Sequence, residues 1–143
     1  MLAETIQGYL TEVGVQMDIT PYDWTAYKEE VGKGDFDICF YGWQGDNGDP
    51  DNFMNLLADA DPSMNVARFD DADYKKLIDQ AVATPDGDER EGLYHQLEEL
   101  AAEKPPWVPL NHTKTLVGQN KNCTGWVFHT TGVIRLEHAT KEA

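Results

Sequence analysis

The stretch "GDFDICFYGWQGDNGDPDNF", residues 34–53, decides the fold, because an apolar run in it leads directly into a group of acids and turn formers. The run 36–43 is apolar apart from Asp37, a pattern typical of a strand that is buried on both faces. Beyond it, Asp49 suits the N-cap of a helix and Pro50 suits the first helical turn. We therefore predict a buried strand, an exposed loop and then a helix.

The sequence before this stretch predicts two helices with a strand between them. The apolar residues of segment 2–13 fall on one helical face, and Gly14 follows where a C-terminal glycine cap belongs. Apolar and polar residues alternate over 15–19, which predicts a strand with one solvated face. Asp23 predicts the N-cap of the second helix. Three residues of this helix are expected to face the interior: Trp24, Tyr27 and Val31.

The sequence after this stretch predicts three further helices and then extended chain. Helical stripes occupy residues 51–60, 70–84 and 86–104. Pro105 and Pro106 stop the last helix. Residues 107–118 are predicted to be extended, and residues 125–139 to form one or two strands. The order of helix, strand, helix and strand at the start of the chain predicts an α/β layer packing.

Composition and charge limit the class of partner. The chain has 143 residues, of which 41% are hydrophobic, so it can bury a sizeable core. Lys and Arg number 11 against 26 Asp and Glu, which gives a net charge of −15. Nucleic acids and anionic membranes are bound through basic surfaces, so this balance argues against both partners. We expect most of the charge to lie on solvated helix faces.

The cysteines and histidines do not indicate a metal or a cofactor. Cys39 and Cys123 lie far apart without a CxxC motif, and the sequence leaves a disulfide between them open. The four histidines show no metal-ligand spacing: His95, His112, His129 and His138. The first residues lack the basic and apolar regions of a signal peptide, and no apolar run reaches the length of a membrane span.

The loop 42–53 allows three interpretations, of which the first two are a cation site and an enzyme site. A calcium loop of the EF-hand type fails, because counting from Asp46 puts Asp51 at the glycine position and Leu57 at the glutamate position. A looser oxygen cage from Asp46, Asp49 and Asp51 stays open. No carboxylate pair or catalytic motif stands out, so we predict neither an enzyme nor catalytic residues.

The third interpretation places a ligand where the predicted strand ends. Ligands of α/β sheets collect at the carboxyl ends of strands, and Gly42, Trp43 and Gln44 lie at that end. Glycine lets another backbone approach closely, and tryptophan supplies an apolar wall. Asp46, just beyond, suits an ammonium group. The loop thus divides into a first half that faces a ligand and a second half that starts a helix.

Several separated motifs together resemble one protein family. They are "GDFDICFYGWQGDNGDPDNF", "ADYKKLIDQAVATPDGDEREGLYHQLEELAAEKPPWVPL" and "GVIRLEHA", in this order. The chain resembles the C-terminal third of family 5 of the extracellular solute-binding proteins of ABC importers. The peptide-binding members of the dipeptide type look most similar, because they carry a stretch very like "GDNGDPDNF".

The resemblance implies a fold and a division of the chain. Family members are much longer and have two lobes that close over the ligand. The chain would supply part of the second lobe, in which helices flank a mixed sheet. Residues 1–112 would belong to that lobe and carry the loop 42–53. Residues 113–143 would return toward the missing first lobe. An extracytoplasmic location, either periplasmic or lipid-anchored at the cell surface, follows from the resemblance.

The resemblance also implies how the ligand is held. A peptide lies extended between the lobes, and Asp46 pairs with its α-ammonium group. Gly42, Trp43 and Gln44 offer backbone hydrogen bonds and an apolar wall, a form of β-augmentation. Gln44 and Gly45 occupy variable positions of the family motif. The basic group that meets the peptide carboxylate is not identified in this chain.

The resemblance leaves the cargo open. Family members carry dipeptides, longer peptides, nickel chelates, sugars or haem, and they deliver their cargo to a membrane permease. The alternative from another class is an acidic α/β structural or interaction domain with a calcium-stabilised loop at 46–52.

Overall fold

The computed structural model describes residues 2–142, which form two compact units: one up to residue 37 and one from residue 38 onward. The first unit contains α1 (Leu2–Glu12) and α2 (Trp24–Lys33). The second contains α3 (Asp51–Met54) with a 3-10 turn at Asn55–Leu57, α4 (Ala72–Ala83), α5 (Asp88–Glu103), β1 (Cys123–Thr124), β2 (Val127–Phe128), β3 (Ile134–Arg135) and β4 (Thr140–Lys141). Across the described residues, helices with the length and apolar character of a membrane span are absent.

The two helices of the first unit end where their predicted cap residues lie. The Asp23 carboxylate accepts hydrogen bonds from the backbone N–H groups of Thr25 (3.0 Å) and Ala26 (3.1 Å) at the start of α2. Gly34 ends α2 with a φ of 78°, and Gly14 follows α1 with a φ of 83°. Because these caps satisfy backbone groups that a helix end leaves unpaired, short motifs were enough to place both helices.

The prediction of which α2 side chains face inward is right for Val31 and wrong for Trp24. Val31 is 3% exposed, whereas Trp24 is 61% exposed. The Trp24 ring stacks on Tyr27 of the same helix, with 6.0 Å between ring centroids. The Lys28 ammonium lies 5.7 Å from the Trp24 ring centroid. At the first position of the helix, the indole therefore packs along its own helix instead of entering a core.

The core of the second unit lies between α4, α5 and the turn after α3. Tyr74, Ile78 and Ala81 of α4 and Leu97 of α5 are at most 2% exposed, as the predicted helical stripes require. The Tyr74 hydroxyl donates to the Met54 carbonyl oxygen (2.9 Å), which ties α4 to α3. Burial raises the pKa of Tyr74 above its ordinary value. Val82, also predicted to lie in the stripe, is 55% exposed and lies outside this core.

The segment between α3 and α4 is organised by one buried amide. Asn65 is 8% exposed, and its Nδ2 donates to the carbonyl oxygens of Leu57 (3.3 Å), Asp59 (3.4 Å) and Phe69 (2.8 Å). Its Oδ1 accepts from the Phe69 N–H at 3.0 Å. The predicted helix over 51–60 is correspondingly shorter, since the chain leaves the helical path after the 3-10 turn.

The two predicted strands at 15–19 and 36–43 are wrong as assignments of paired strands. Neither segment takes part in a ladder among the described residues. The run 36–43 is also not buried on both faces, because Ile38 is 63% exposed and Tyr41 is 39% exposed. A strand exists only where a partner completes its backbone hydrogen bonds, and an apolar pattern does not supply that partner.

The ladders that the structure does contain lie in the last fifth of the chain. β2 pairs with β3, with Val127 opposite Arg135, and β1 pairs with β4, with Cys123 opposite Lys141. Both pairs are antiparallel. Residues 2–142 therefore do not form the mixed sheet that the resemblance implies. The prediction of strands within 125–139 is confirmed. Helices and small sheets together confirm the α/β class.

Candidate ligand-binding site

The residues predicted to meet a ligand form the first half of the loop 42–53. Trp43 is half-buried, whereas Gly42, Gln44 and Asp46 are exposed. The backbone of residues 42–44 forms no hydrogen bond with other described residues. Nor does the Asp46 carboxylate pair with any group in the described part of the chain. The segment therefore presents free backbone groups, an aromatic surface and an unpaired carboxylate within five residues.

One amide oxygen holds both the Trp43 indole and the backbone of Asp46. Asn52 Oδ1 accepts from the Trp43 indole N–H at 2.9 Å and from the Asp46 backbone N–H at 3.2 Å. Because α3 carries Asn52, the first turn of this helix holds the loop that precedes it. Asn52 was missed by sequence reasoning. Its signal was weak: an asparagine inside a helix start often bonds nearby backbone groups in place of the helix ladder.

Gly45 lies against the Phe53 ring. A Cβ atom built on Gly45 would lie 2.7 Å from this ring, so a side chain at this position would displace Phe53. Space around Gly42 is open, so a side chain there would meet nothing within 4 Å. The contact at Gly45 is with a side chain of the same loop, and the approach of a ligand backbone to Gly42 stays a prediction.

The Gln44 side chain lies against the turn between β2 and β3. A Cβ atom on Gly132 would overlap the Gln44 amide, and Gly132 has a φ of 84°. Both the close contact and the positive φ favour glycine at this position. Residues 129–132 close this turn through a hydrogen bond from the Gly132 N–H to the His129 carbonyl oxygen at 2.9 Å. The turn thus borders the predicted ligand residues.

The second half of the loop starts α3, as the sequence predicts. Asn47 Oδ1 accepts from the Asp49 N–H (2.9 Å), and Asp49 Oδ1 accepts from the Asp51 N–H (3.0 Å). Pro50 occupies the formal N-cap position and makes no side-chain cap bond, so Asp49 supplies the capping oxygen from one residue earlier. Asp49 therefore caps α3 as predicted, but it lies one residue before the formal N-cap position.

Asp49 has a second partner that the sequence did not reveal. Arg90 of α5 donates from Nη2 to Asp49 Oδ1 at 2.7 Å, and the side chain of Arg90 is only 13% exposed. The hydrogen bond from Arg90, together with the Asp51 backbone N–H, lowers the pKa of Asp49 to about 2. The same hydrogen bond holds the pKa of Arg90 above its ordinary value.

The cation-cage alternative gains no support from this geometry. In the part of the chain that the structure describes, no group of three or more His, Cys, Asp or Glu side chains is arranged to hold a metal ion. Asp49, one of the three acids of this cage, pairs with Arg90. Asp51 keeps one buried oxygen, Oδ1, without a hydrogen-bond partner in the described structure. Cys39 and Cys123 do not form a disulfide.

Comparison with known proteins identifies the class to which this fold and loop belong. Residues 1–65 match the family model described as the middle part of bacterial extracellular solute-binding proteins, family 5. The recognition from the sequence is thereby confirmed: residues 1–65 match family 5 of the bacterial extracellular solute-binding proteins, and relatives with peptide-binding names match most of the chain.

Individual relatives agree with this family. The chain is 35% identical over 124 residues to Di/tripeptide-binding protein 3 of Pseudomonas aeruginosa, covering 85% of the chain and 23% of that protein. It is 30% identical over 128 residues to Heme-binding protein A of Haemophilus influenzae, covering 88% of the chain and 23% of that protein. The chain thus spans about a quarter of the length of the curated relatives that it matches.

A solved structure shows the same fold. The periplasmic binding protein DppA from Helicobacter pylori, associated with an ABC transporter and in complex with the peptide STSA, superimposes with a TM-score of 0.80. It is 32% identical and covers 92% of this chain and 26% of the DppA chain. This match confirms the α/β fold of the periplasmic binding proteins. The relatives are binding proteins, in agreement with the prediction that the chain is not an enzyme.

Proposed function

We propose that the chain supplies the ligand-ammonium subsite of a substrate-binding protein that serves an ABC importer and binds di- or oligopeptides. In this proposal, residues 1–112 belong to the second lobe and residues 113–143 return toward a first lobe. The peptide lies in the cleft between the lobes. The complete protein works outside the cytoplasm and passes its peptide to a membrane permease.

The observation that carries the proposal is the shared hydrogen bonding of Asn52. Its amide oxygen holds the Trp43 indole and the Asp46 backbone at a fixed separation, while the Asp46 carboxylate stays unpaired. An unpaired carboxylate on a fixed backbone is prepared for a cation without reorganisation of the site. A peptide α-ammonium group supplies that charge and three N–H donors.

The backbone of residues 42–44 supports an extended ligand beside this charge. Its N–H and C=O groups have no partner within the described chain, so they are available to pair with a peptide backbone, as in β-augmentation. Trp43 would cover one face of the peptide. Such pairing involves the backbone of the peptide and not its side chains, which suits a protein that carries many different peptides.

The charge of Asp46 is the first prediction. In the complete binding protein, Asp46→Asn keeps the side-chain size and removes the charge that meets the ligand ammonium. We expect the affinity for a free dipeptide to fall about 30- to 3000-fold, since an unpaired charge is left in a water-poor cleft. Isothermal titration calorimetry measures this loss.

Two controls make this test specific. An N-acetylated dipeptide lacks the ammonium group, so it should bind the unaltered protein poorly and lose little further on Asp46→Asn. Asp51→Asn should weaken binding far less than Asp46→Asn, because Asp51 serves the start of α3. Equal losses for Asp46→Asn and Asp51→Asn would contradict the proposal. Heat from calcium or from haemin, with none from the dipeptide, would replace it with another ligand class.

A further inference from the structure

Arg90 joins three parts of the second unit through separate donors. Its Nε donates to the Ala81 carbonyl oxygen at the end of α4 (3.1 Å), and its Nη2 donates to Asp49 (2.7 Å) and to the Tyr94 hydroxyl (2.9 Å). Its Nη1 pairs with Asp86 at 2.8 Å. The guanidinium also lies over the Tyr94 ring, 5.0 Å from the centroid.

Asp49 connects Arg90 to the predicted ligand residues through Asp51 and Asn52. Asp49 accepts from the Asp51 N–H, and its own N–H donates to Asn47, so it is held on both sides within the loop. The next residue along α3 is Asn52, whose amide holds Trp43 and Asp46. A shift of Asp49 therefore moves the first turn of α3 and, with it, the oxygen that sets the subsite.

We infer that Arg90 is a positioning residue for the ligand-ammonium subsite, acting through Asp49 without touching the ligand. The inference rests on the proposed function for its effect on binding. Its structural part, the dependence of Trp43 and Asn52 on Arg90, stands apart from any ligand. Arginine suits this role because its planar fork offers several donors in fixed directions. A lysine has one nitrogen and does not reach the Ala81 oxygen and the Asp49 carboxylate in the same way.

The structural part is tested on the 143-residue chain without a ligand. The indole N–H of Trp43 gives a cross-peak in a two-dimensional NMR spectrum that reports its hydrogen bond to Asn52. Arg90→Met should move this cross-peak. Asp86→Asn is the matched control, because Asp86 is the other carboxylate partner of Arg90 and is 92% exposed at its side chain. An unmoved Trp43 cross-peak in a folded Arg90→Met chain would overturn the inference.

The effect on binding is tested by a double-mutant cycle in the complete binding protein. Arg90→Met and Asp49→Ala should each lower the affinity for a free dipeptide about tenfold, and the double variant should lose no more than either single variant. Asp86→Asn should stay within about twofold, as expected for an exposed pair. Additive losses, or no loss for Arg90→Met, would show that Arg90 does not act through Asp49.

Two further variants separate a loss of affinity from a loss of stability. Ile78→Val reduces packing in the core of α4 without removing a hydrogen bond of Arg90 or of the loop. If its melting temperature falls as much as that of Arg90→Met, its affinity shows how much binding is lost through stability alone. If Arg90→Met does not fold, Arg90→Lys keeps the charge and should still shift the Trp43 cross-peak and weaken binding, by less than Met. A failure of the proposed function would be distinct: the dipeptide would not bind the unaltered protein, while the cross-peak would still move.

Discussion

Asp49 gives the fold an acid-sensitive ion pair. Its pKa in the folded chain is about 2, against an ordinary value of 3.8, and the first cause is the hydrogen bond from Arg90. Since the folded-state pKa is depressed, the stabilisation is fully present above about pH 5 and is lost as the pH falls through 4 toward 2. The carboxylate is one-third exposed, so solvent screening reduces the contribution to about 1 kcal/mol.

Asp49→Asn should remove this pH-dependent contribution. We expect it to lower the free energy of unfolding by about 1 kcal/mol at pH 6, and the difference from the unaltered chain to narrow by roughly half at pH 3. Urea denaturation at the two pH values measures both. Asp86→Asn, which removes an exposed partner of the same arginine, should change little at either pH. A difference that does not narrow on acidification would contradict the assigned ion pair.

Asn65 should not tolerate replacement by its acid. Its Nδ2 donates to three carbonyl oxygens. Asn65→Asp replaces this donor with a carboxylate oxygen, which is charged at neutral pH and cannot donate to them. We expect a loss of about 2–4 kcal/mol in the free energy of unfolding, because a buried carboxylate faces unpaired acceptors. Acidification should restore part of it, since a protonated carboxyl regains one donor. Asn55→Asp is the exposed control and should stay within about 0.5 kcal/mol; equal losses would refute this role of Asn65.

These residues show how much of the candidate site can be predicted from the sequence. Trp43 and Asp46 were predicted because their types and spacing already carry a chemical meaning, and the start of α3 was predicted from Asp49 and Pro50. Asn52 and Arg90 were not predicted. Asn52 lies beside other polar residues that look equivalent in sequence, and Arg90 is 41 positions away from the carboxylate it holds. Which amide or guanidinium faces the loop depends on tertiary packing, which a local pattern does not contain.

At the scale of elements, the helices were predictable and the strands were not. A helix satisfies its backbone within its own segment, and its caps are local, so Asp23 and Gly34 mark α2 in sequence and in structure. A strand needs hydrogen bonds from another segment. Residues 15–19 and 36–43 carry strand-like patterns and leave Ile19, Ile38 and Tyr41 exposed at 39% or more. In the proposed two-lobed protein, other parts of the lobes would pair with and cover these segments.

At the scale of the whole molecule, the buried side chains are concentrated in α4, α5 and the turn after α3. Six core residues form one cluster there: Leu57, Tyr74, Ile78, Ala81, Tyr94 and Leu97. The chain after α5 is different, because Val108, Leu116 and Leu136 are each more than 60% exposed. Among the described residues, strands β1 to β4 have two residues each, so each ladder contributes few hydrogen bonds. The free energy that resists local opening should therefore vary strongly along the chain.

Amide hydrogen exchange on the 143-residue chain should show this variation directly. Local opening costs most where apolar contacts are dense, so the amides of residues 74–81 and 94–100 should exchange most slowly. Residues 107–119 make no backbone hydrogen bond with other described residues and should exchange fastest. The ladders formed by residues 123–141 should exchange only slightly more slowly than that segment. Protection of residues 107–119 equal to that of α4 would mean that this segment is covered by an interaction absent from the described fold.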